Sequence, residues 1–256
     1  IDPLRDPSPY LRRAEESGAN IKYILETHFH ADYVSGHEAL AKEADAFIVF
    51  GPTARAEFVF HEAEHKELLY FGNATIEVLH TPGHTMESVC FLLKDEFLIN
   101  QALFTGDTLF LGDVGRPDLA VKSDLTSKDL AKLLYRSIYS EILPLEDSII
   151  IYPGHGAGSA CGKKMSKSTH GTLGEQRQTN YALQNLSENE FIEQVLSGIP
   201  SPPRYFPKNV QLNREGVQPF SDVLHSSDIA IDTVSFELLA AKRNTILIDT
   251  RSGNHF

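Results

Sequence analysis

Cysteine is scarce in this chain of 256 residues, with only Cys90 and Cys161 present. Two thiols make no disulfide framework, and such sparse use fits a reducing compartment, so a cytoplasmic location is expected. Basic residues are also few, 23 Lys and Arg against 35 Asp and Glu, a formal net charge of −12. That balance argues against nucleic acid or an anionic membrane surface as a general partner, and an anionic substrate would need a local basic patch. Long apolar runs are missing: no segment approaches about 18 consecutive apolar residues, so no membrane-spanning helix is expected. The opening residues IDPLRDPSPYLRRAEESG lack the apolar centre of a signal peptide, and there is neither an internal repeat nor a low-complexity tract. What is present, 41% hydrophobic and 23% charged residues, is an ordinary globular composition. The length suits one large α/β domain plus a remnant, or two modest domains.

Strand-like apolar runs recur at 21–25, 46–49, 74–79, 88–93, 97–104 and 148–152. Helical patterns fall at 9–17, 38–43 and 127–143, the last opening with Ser127 as a cap, and two shorter ones follow at 174–184 and 188–196. Mixed elements in this order predict a layered α/β domain. After residue 156 the stretch GAGSACGKKMSKSTHG reads as a long surface loop, and SGIPSPPRYFP as an extended segment packed on the surface. The final IDTVSFELLAAKRNTILIDTRSGNHF reads as a helix and then a buried strand ending at Asp249, the opening of a further domain.

Four motifs place ligand-type side chains directly after apolar strands: THFHADYVSGH (27–37), HTPGHT (80–85), TGDTLF (105–110) and YPGHG (152–156). Loops at one end of a sheet converge, so these imidazoles and carboxylates can surround one ion. Neutral imidazole with carboxylate suits Zn, Fe, Mn or Ni without any thiolate. A single histidine after a strand is usually only a hydrogen-bonded side chain, but four such motifs in series are not readily coincidence. Two decoys are set aside. HEAEH (61–65) matches a zinc-protease helix motif but lies in a charged stretch with no third ligand, and AGSACGKK (157–164) misses the glycine and the Ser/Thr of a phosphate-binding loop.

The series H-x-H-x-D, G-H-T, G-D and G-H resembles the metallo-β-lactamase superfamily over residues 1–215. The resemblance implies an αβ/βα sandwich with metal at one edge, and places the IDP start inside a repeated unit whose first strands are missing. It is followed, on the resemblance, by a linker (217–231) and the beginning of a rhodanese-like α/β domain (232–256), without that domain's sulfur-accepting cysteine. In dinuclear relatives of the glyoxalase II kind, one metal would take His28, His30 and His84. The other would take Asp32, position 33 and His155, with Asp107 bridging. Position 33 here is Tyr, and a phenol with pKa near about 10 is a poor ligand at neutral pH and bulkier than imidazole. One metal is therefore expected.

The motifs ETHFHADYVSGH, HTPGHTMES, GDTLFLGDVGRPDL, YPGHGAGSACGKKMS and PPRYFPKNVQLNREG are similar to those of the persulfide dioxygenases (sulfur dioxygenases), in particular those fused to rhodanese domains. That resemblance implies one Fe(II) per chain on His28, His84 and Asp107, with zinc possible as prepared. A 2-His-1-carboxylate face leaves positions free for sulfur and O₂. His30, Asp32, Tyr33 and His155 would orient ligands or hold water around the ion. Arg116, with Lys163 and Lys164, is the candidate contact for an anionic substrate, and Cys161 either faces the active site and carries sulfur or is a small loop residue. Cys90, inside SVCFLL, is expected to be a buried strand residue. The implied function is oxidation of a low-molecular-weight thiol persulfide to sulfite with O₂ in sulfide detoxification, with glutathione, coenzyme A or bacillithiol as carrier and possible homo-oligomers. The alternatives are a zinc-dependent thioester hydrolase and a non-catalytic sulfur-carrier scaffold.

Overall fold

The structure is a computed structural model that describes residues 1–121 and 124–249. Residues Ile1–Val217 form one compact unit, and those from Gln218 onward form another.

The first unit begins with α1 (Ser8–Glu16) and the short β1 (Tyr23–Leu25), followed by α2 (His37–Ala44), β2 (Phe47–Phe50) and β3 (His61–Glu62). These three strands make a parallel sheet in the order β1-β2-β3. A second sheet takes β4 (Leu68–Phe71), β5 (Ala74–His80), β6 (Val89–Lys94), β7 (Asn100–Gly106), β10 (Ile150–Pro153) and β11 (Gly171–Thr172), in the order β11-β10-β7-β6-β5-β4. A small hairpin of β8 (Leu109–Phe110) and β9 (Asp113–Val114) follows β7. The helices α3 (Ser127–Ser137), α4 (Leu173–Thr179), α5 (Glu188–Leu196) and α6 (Phe206–Glu215) complete the unit.

The apolar faces decide the layering. Leu25, Val49 and Ala63 of the small sheet pack against Ile76, Val78, Val89 and Phe91 of the large one. The other face of the large sheet, with Leu79, Leu92, Leu103 and Ile151, packs on α3 and α5 through Leu134, Phe191 and Val195, together with Ile138 just past α3. The far face of the small sheet, Ile48 and Phe50, meets Phe29, Ala41 and Val210. Helix, sheet, sheet, helix is the αβ/βα sandwich that the motifs imply. Cys90 is buried in β6, as expected.

Local chemistry sets the boundaries and corrects several expectations. The cap of α3 is Thr126, not Ser127: its hydroxyl accepts from the Asp129 N–H while Asp129 returns a bond to the Thr126 N–H. Beyond Ser137 the helix continues as a π turn through Ile142, closed by Leu143 N–H to Ile138 O (2.9 Å). The run 97–104 does not start as a strand. Asp95 Oδ1 accepts from the N–H groups of Phe97 and Ile99, Leu98 takes φ +60°, and the three apolar residues sit exposed on a turn before β7. The proline-rich segment is irregular only as far as Tyr205, after which α6 begins with Pro207 in its first turn.

The second unit holds α7 (Phe220–Ser227) and α8 (Thr233–Ala240), the latter capped by Asp232. The expected buried strand at 245–249 is absent among the described residues: Ile246, Leu247 and Ile248 are 84%, 60% and 79% exposed, because no described strand pairs with them. The remaining TRSGNHF lies outside the described residues. Among the described residues, no helix is long and apolar enough to cross a membrane.

Candidate metal centre

Three strand ends deliver the central trio. His28 follows β1, His84 follows β5, and Asp107 follows β7. All three are buried, and one ligand atom from each lies within 4.8 Å of the others. His84 Nε2 is 3.4 Å from Asp107 Oδ2, and His28 Nε2 is 4.0 Å from the same oxygen.

The tautomers follow from the partners. His84 Nδ1 faces the Arg116 carbonyl at 2.9 Å, so it must be the donor. His28 Nδ1 faces Thr27 Oγ1 at 2.9 Å, and that hydroxyl already donates to Asp2 Oδ2, so His28 also donates through Nδ1. Both Nε2 lone pairs are thereby free and turned toward Asp107. Burial first, then the neighbouring His30, His84 and His155, push the His28 pKa well down and keep it neutral. Both Asp107 oxygens are buried without a hydrogen-bond partner among the described residues. The space around them is kept by glycine: a Cβ on Gly154 would sit 2.7 Å from Asp107 Oδ1, and one on Gly115 would sit 1.8 Å from the Asp107 carbonyl oxygen. Orphaned carboxylate oxygens facing the Nε2 atoms of two imidazoles fit a divalent cation of the Zn or Fe class.

A second group adjoins it. His155 Nε2 is 3.4 Å from Asp107 Oδ1 and 3.6 Å from Asp32 Oδ2, and His30, Asp32 and His155 also offer atoms within 4.8 Å of one another. Tyr33 is not among them. Its hydroxyl donates to the Asp2 carbonyl oxygen (3.1 Å) and its ring lies on His30, centroids 4.5 Å apart. Burial, then the carboxylates of Asp2, Glu26, Asp32 and Asp107, push its pKa far up, so it stays a phenol. His30 Nε2 lies 3.2 Å from Asp2 Oδ1 and 3.3 Å from Glu26 Oε2. Burial would lower the His30 pKa, but those two acids outweigh it and raise it well above the ordinary value.

Cys161 comes to the site: its sulfur groups with Asp107 and His155, and the expected surface loop tucks it into a small apolar cluster with Ala31, Phe110 and Phe206. Burial and the Asp107 carboxylate push its thiol pKa up, so it is protonated. The expected cationic contacts do not come to the site. Arg116 is buried, gives two bonds to Asp118 (2.7 and 2.8 Å), and donates to the carbonyls of Ala160 and Pro200. It is a strut between loops, because four of its donors are already used. The Lys163 ammonium bonds the carbonyls of Gln194, Val195 and Ser197 at the end of α5, the preferred place for a cation. Lys164 is exposed, and its backbone N–H donates to Asp113.

Several residues that build the site were not legible as such. Asn213 on α6 donates to the carbonyls of His30 and Tyr33 and accepts from Ser35 N–H, each at 2.8 Å, while Asn209 donates to Ala31 O. Their i, i+4 spacing in NVQLN was the available signal. Asp2 and Glu26 belong to no ligand pattern in the sequence, although Glu26 directly precedes THFH. A cavity of about 260 Å³ opens beside His84, lined by Phe29, Leu119, Val210, Glu87, Arg55 and Arg214 among others.

A profile of the Metallo-beta-lactamase superfamily matches residues 1–49 and 47–155. The chain belongs to the metallo-β-lactamase superfamily. It is similar to a hydroxyacylglutathione hydrolase of Dictyostelium discoideum, 31% identical over 159 residues, which are 60% of this chain and 56% of that protein. It is equally similar to the human mitochondrial persulfide dioxygenase ETHE1, 31% identical over 157 residues, 60% of this chain and 57% of that one. The chain thus spans little more than half the length of these relatives. Among solved structures it resembles a metallo-β-lactamase from Staphylococcus aureus subsp. aureus COL, at 40% identity and TM-score 0.79, over 86% of this chain and 66% of that one. Members of the superfamily with either activity are its relatives, so family likeness alone separates neither hydrolysis from oxygenation.

Proposed function

We propose that this chain is a mononuclear non-haem iron dioxygenase acting on the terminal sulfur of a low-molecular-weight thiol persulfide. The observation that carries the reading is Tyr33. Where a two-metal hydrolase needs an imidazole, this chain has a half-buried, protonated phenol turned toward the Asp2 carbonyl. His28, His84 and Asp107 would hold Fe(II). The iron, when bound, supplies O₂ activation and open positions for a sulfur ligand. The balanced reaction takes one persulfide, one O₂ and one water to one thiol, one sulfite and two protons.

The protein's own contribution is orientation and dryness. Thr27 and the Arg116 carbonyl fix the two imidazoles through Nδ1, and Gly154 lets the chain close onto Asp107. Asn213 holds the loop that carries His30 and Tyr33. His155, half-buried between Asp32 and Asp107, is placed to hold a proton or a water beside the reacting atoms.

A second reading, zinc-dependent thioester hydrolysis, is favoured by the proximity of His30, Asp32 and His155. Asp107→Ala tests the metal set. The variant is expected to lose bound iron and oxygen uptake together, and retention of both would remove Asp107 from the ligand set.

A further inference from the structure

We infer that the cavity beside His84 seats an acidic thiol carrier, whose anionic end is held by Arg214 with Arg55; the sulfur chemistry assumed at its inner end rests on the function proposed above. The protein carries a net charge of −12, so an anion approaching it is repelled except where cations are gathered locally. The three cations that the sequence singles out are not available for this task. Arg116 and Lys163 are taken up by carboxylate and carbonyl oxygens, and Lys164 does not line the cavity.

Arg214 and Arg55 do line it, on the same hollow as His84. Arg214 is pre-set for the role. Its Nε donates to the Arg55 carbonyl at 3.0 Å, and its guanidinium lies 5.7 Å from the Phe29 ring centroid. Its two terminal nitrogens take no hydrogen bond among the described residues, so the outer edge of a fixed planar fork is open to a carboxylate or phosphate. Arg55 also borders the cavity, but Glu62 partly offsets its charge through Nη1, so it is the secondary contact beside Arg214.

The lining is mixed in polarity. Glu87, three residues after His84, also borders the cavity and would repel an anionic tail there, which leaves the arginines as its seat. Phe29, Leu119 and Val210 add an apolar wall. Arg55, Val210 and Arg214 also border an outer hollow of about 410 Å³. A carrier can therefore set its sulfur toward His84, cross the apolar wall, meet the arginines with its acid group and leave its bulk outside. The shared ligand chemistry is an anion on a thiol, from a peptide carboxylate or a nucleotide phosphate.

Unreactive thioethers test this without any turnover. Calorimetric binding of S-methylglutathione, its uncharged diamide and S-methyl-coenzyme A would be measured on the wild-type chain and on Arg214→Ala, Arg214→Lys and Arg55→Ala, each checked for metal content and fold. Loss of the charge-assisted contact in Arg214→Ala is expected to weaken the acidic thioethers about tenfold, with the diamide unmoved and Arg214→Lys partly restoring affinity. The tighter of the two acidic ligands identifies carboxylate or phosphate as the source. Equal binding of S-methylglutathione and its diamide by the wild type, no binding of any probe, or acidic-ligand affinity unchanged in both alanine variants, would overturn the inference. If the binding is Arg214-dependent and yet no persulfide drives oxygen uptake, the function proposed above fails and this site stands.

Discussion

Glu26→Gln should be among the most destabilising single changes of charge in the domain. The Glu26 carboxylate is buried; Oε1 accepts from Ser35 Oγ at 2.6 Å and faces His37 Nδ1 at 3.0 Å, while Oε2 is 3.3 Å from His30 Nε2. Burial alone would raise its pKa, but the neighbouring His30 and His37 more than reverse that and bring it from 4.5 down to about 2. A depression of that size corresponds to about 3 kcal/mol of stability at neutral pH. Because the folded pKa lies below the unfolded one, this contribution is present above pH 4.5 and is lost as pH falls toward 2. His30 has the opposite sign: its raised pKa contributes below its ordinary value of 6.5 and is lost as pH rises through the elevated one. Urea unfolding of chelator-treated wild type and Glu26→Gln should therefore show a gap of about 3 kcal/mol on a plateau near neutrality. The gap should narrow on acidification below pH 4.5, and again on the alkaline side. A gap under about 1 kcal/mol at pH 7, or one that stays constant into acid, would refute the buried ion network.

Tyr33→His restores an imidazole beside Asp32 and His155 and should raise bound metal from one toward two ions per chain, read by elemental analysis after equilibration with zinc. An unchanged stoichiometry would show that Tyr33 is not what limits the count. Arg116→Ala removes both bonds to Asp118 and two to loop carbonyls, and should cost about 3 kcal/mol of stability. The folded fraction should bind S-methylglutathione as the wild type does; weakened binding with stability intact would return Arg116 to the substrate.

The fold and the site were legible to different depths. Strand-end histidines and aspartates are local signals, so the gathering of His28, His84, Asp107 and His155 could be anticipated from motif order. Element ends were less readable where one side chain decides them, as at Thr126 and Asp95. The roles of Arg116 and Lys163 could not be read at all, because a cation next to a motif looks the same whether it meets substrate or a helix end 30 residues away. Asn213 was only faintly legible for a related reason: it acts across about 180 residues of sequence, from a helix that follows the proline-rich stretch, with the spacing in NVQLN as its one local signal. At the C-terminal end, TILID carries the composition of a buried strand without a described partner to bury it.

The proposed chemistry puts a lone redox-active ion to work on sulfane sulfur. Its most direct test is an oxygen electrode trace on protein loaded anaerobically with Fe(II) and supplied with glutathione persulfide, with sulfite and S-lactoylglutathione hydrolysis measured in parallel. One O₂ should be consumed and one sulfite formed per persulfide, with no thioester cleavage. Thioester cleavage by the zinc-loaded protein, with no oxygen uptake by the iron-loaded one, would contradict it.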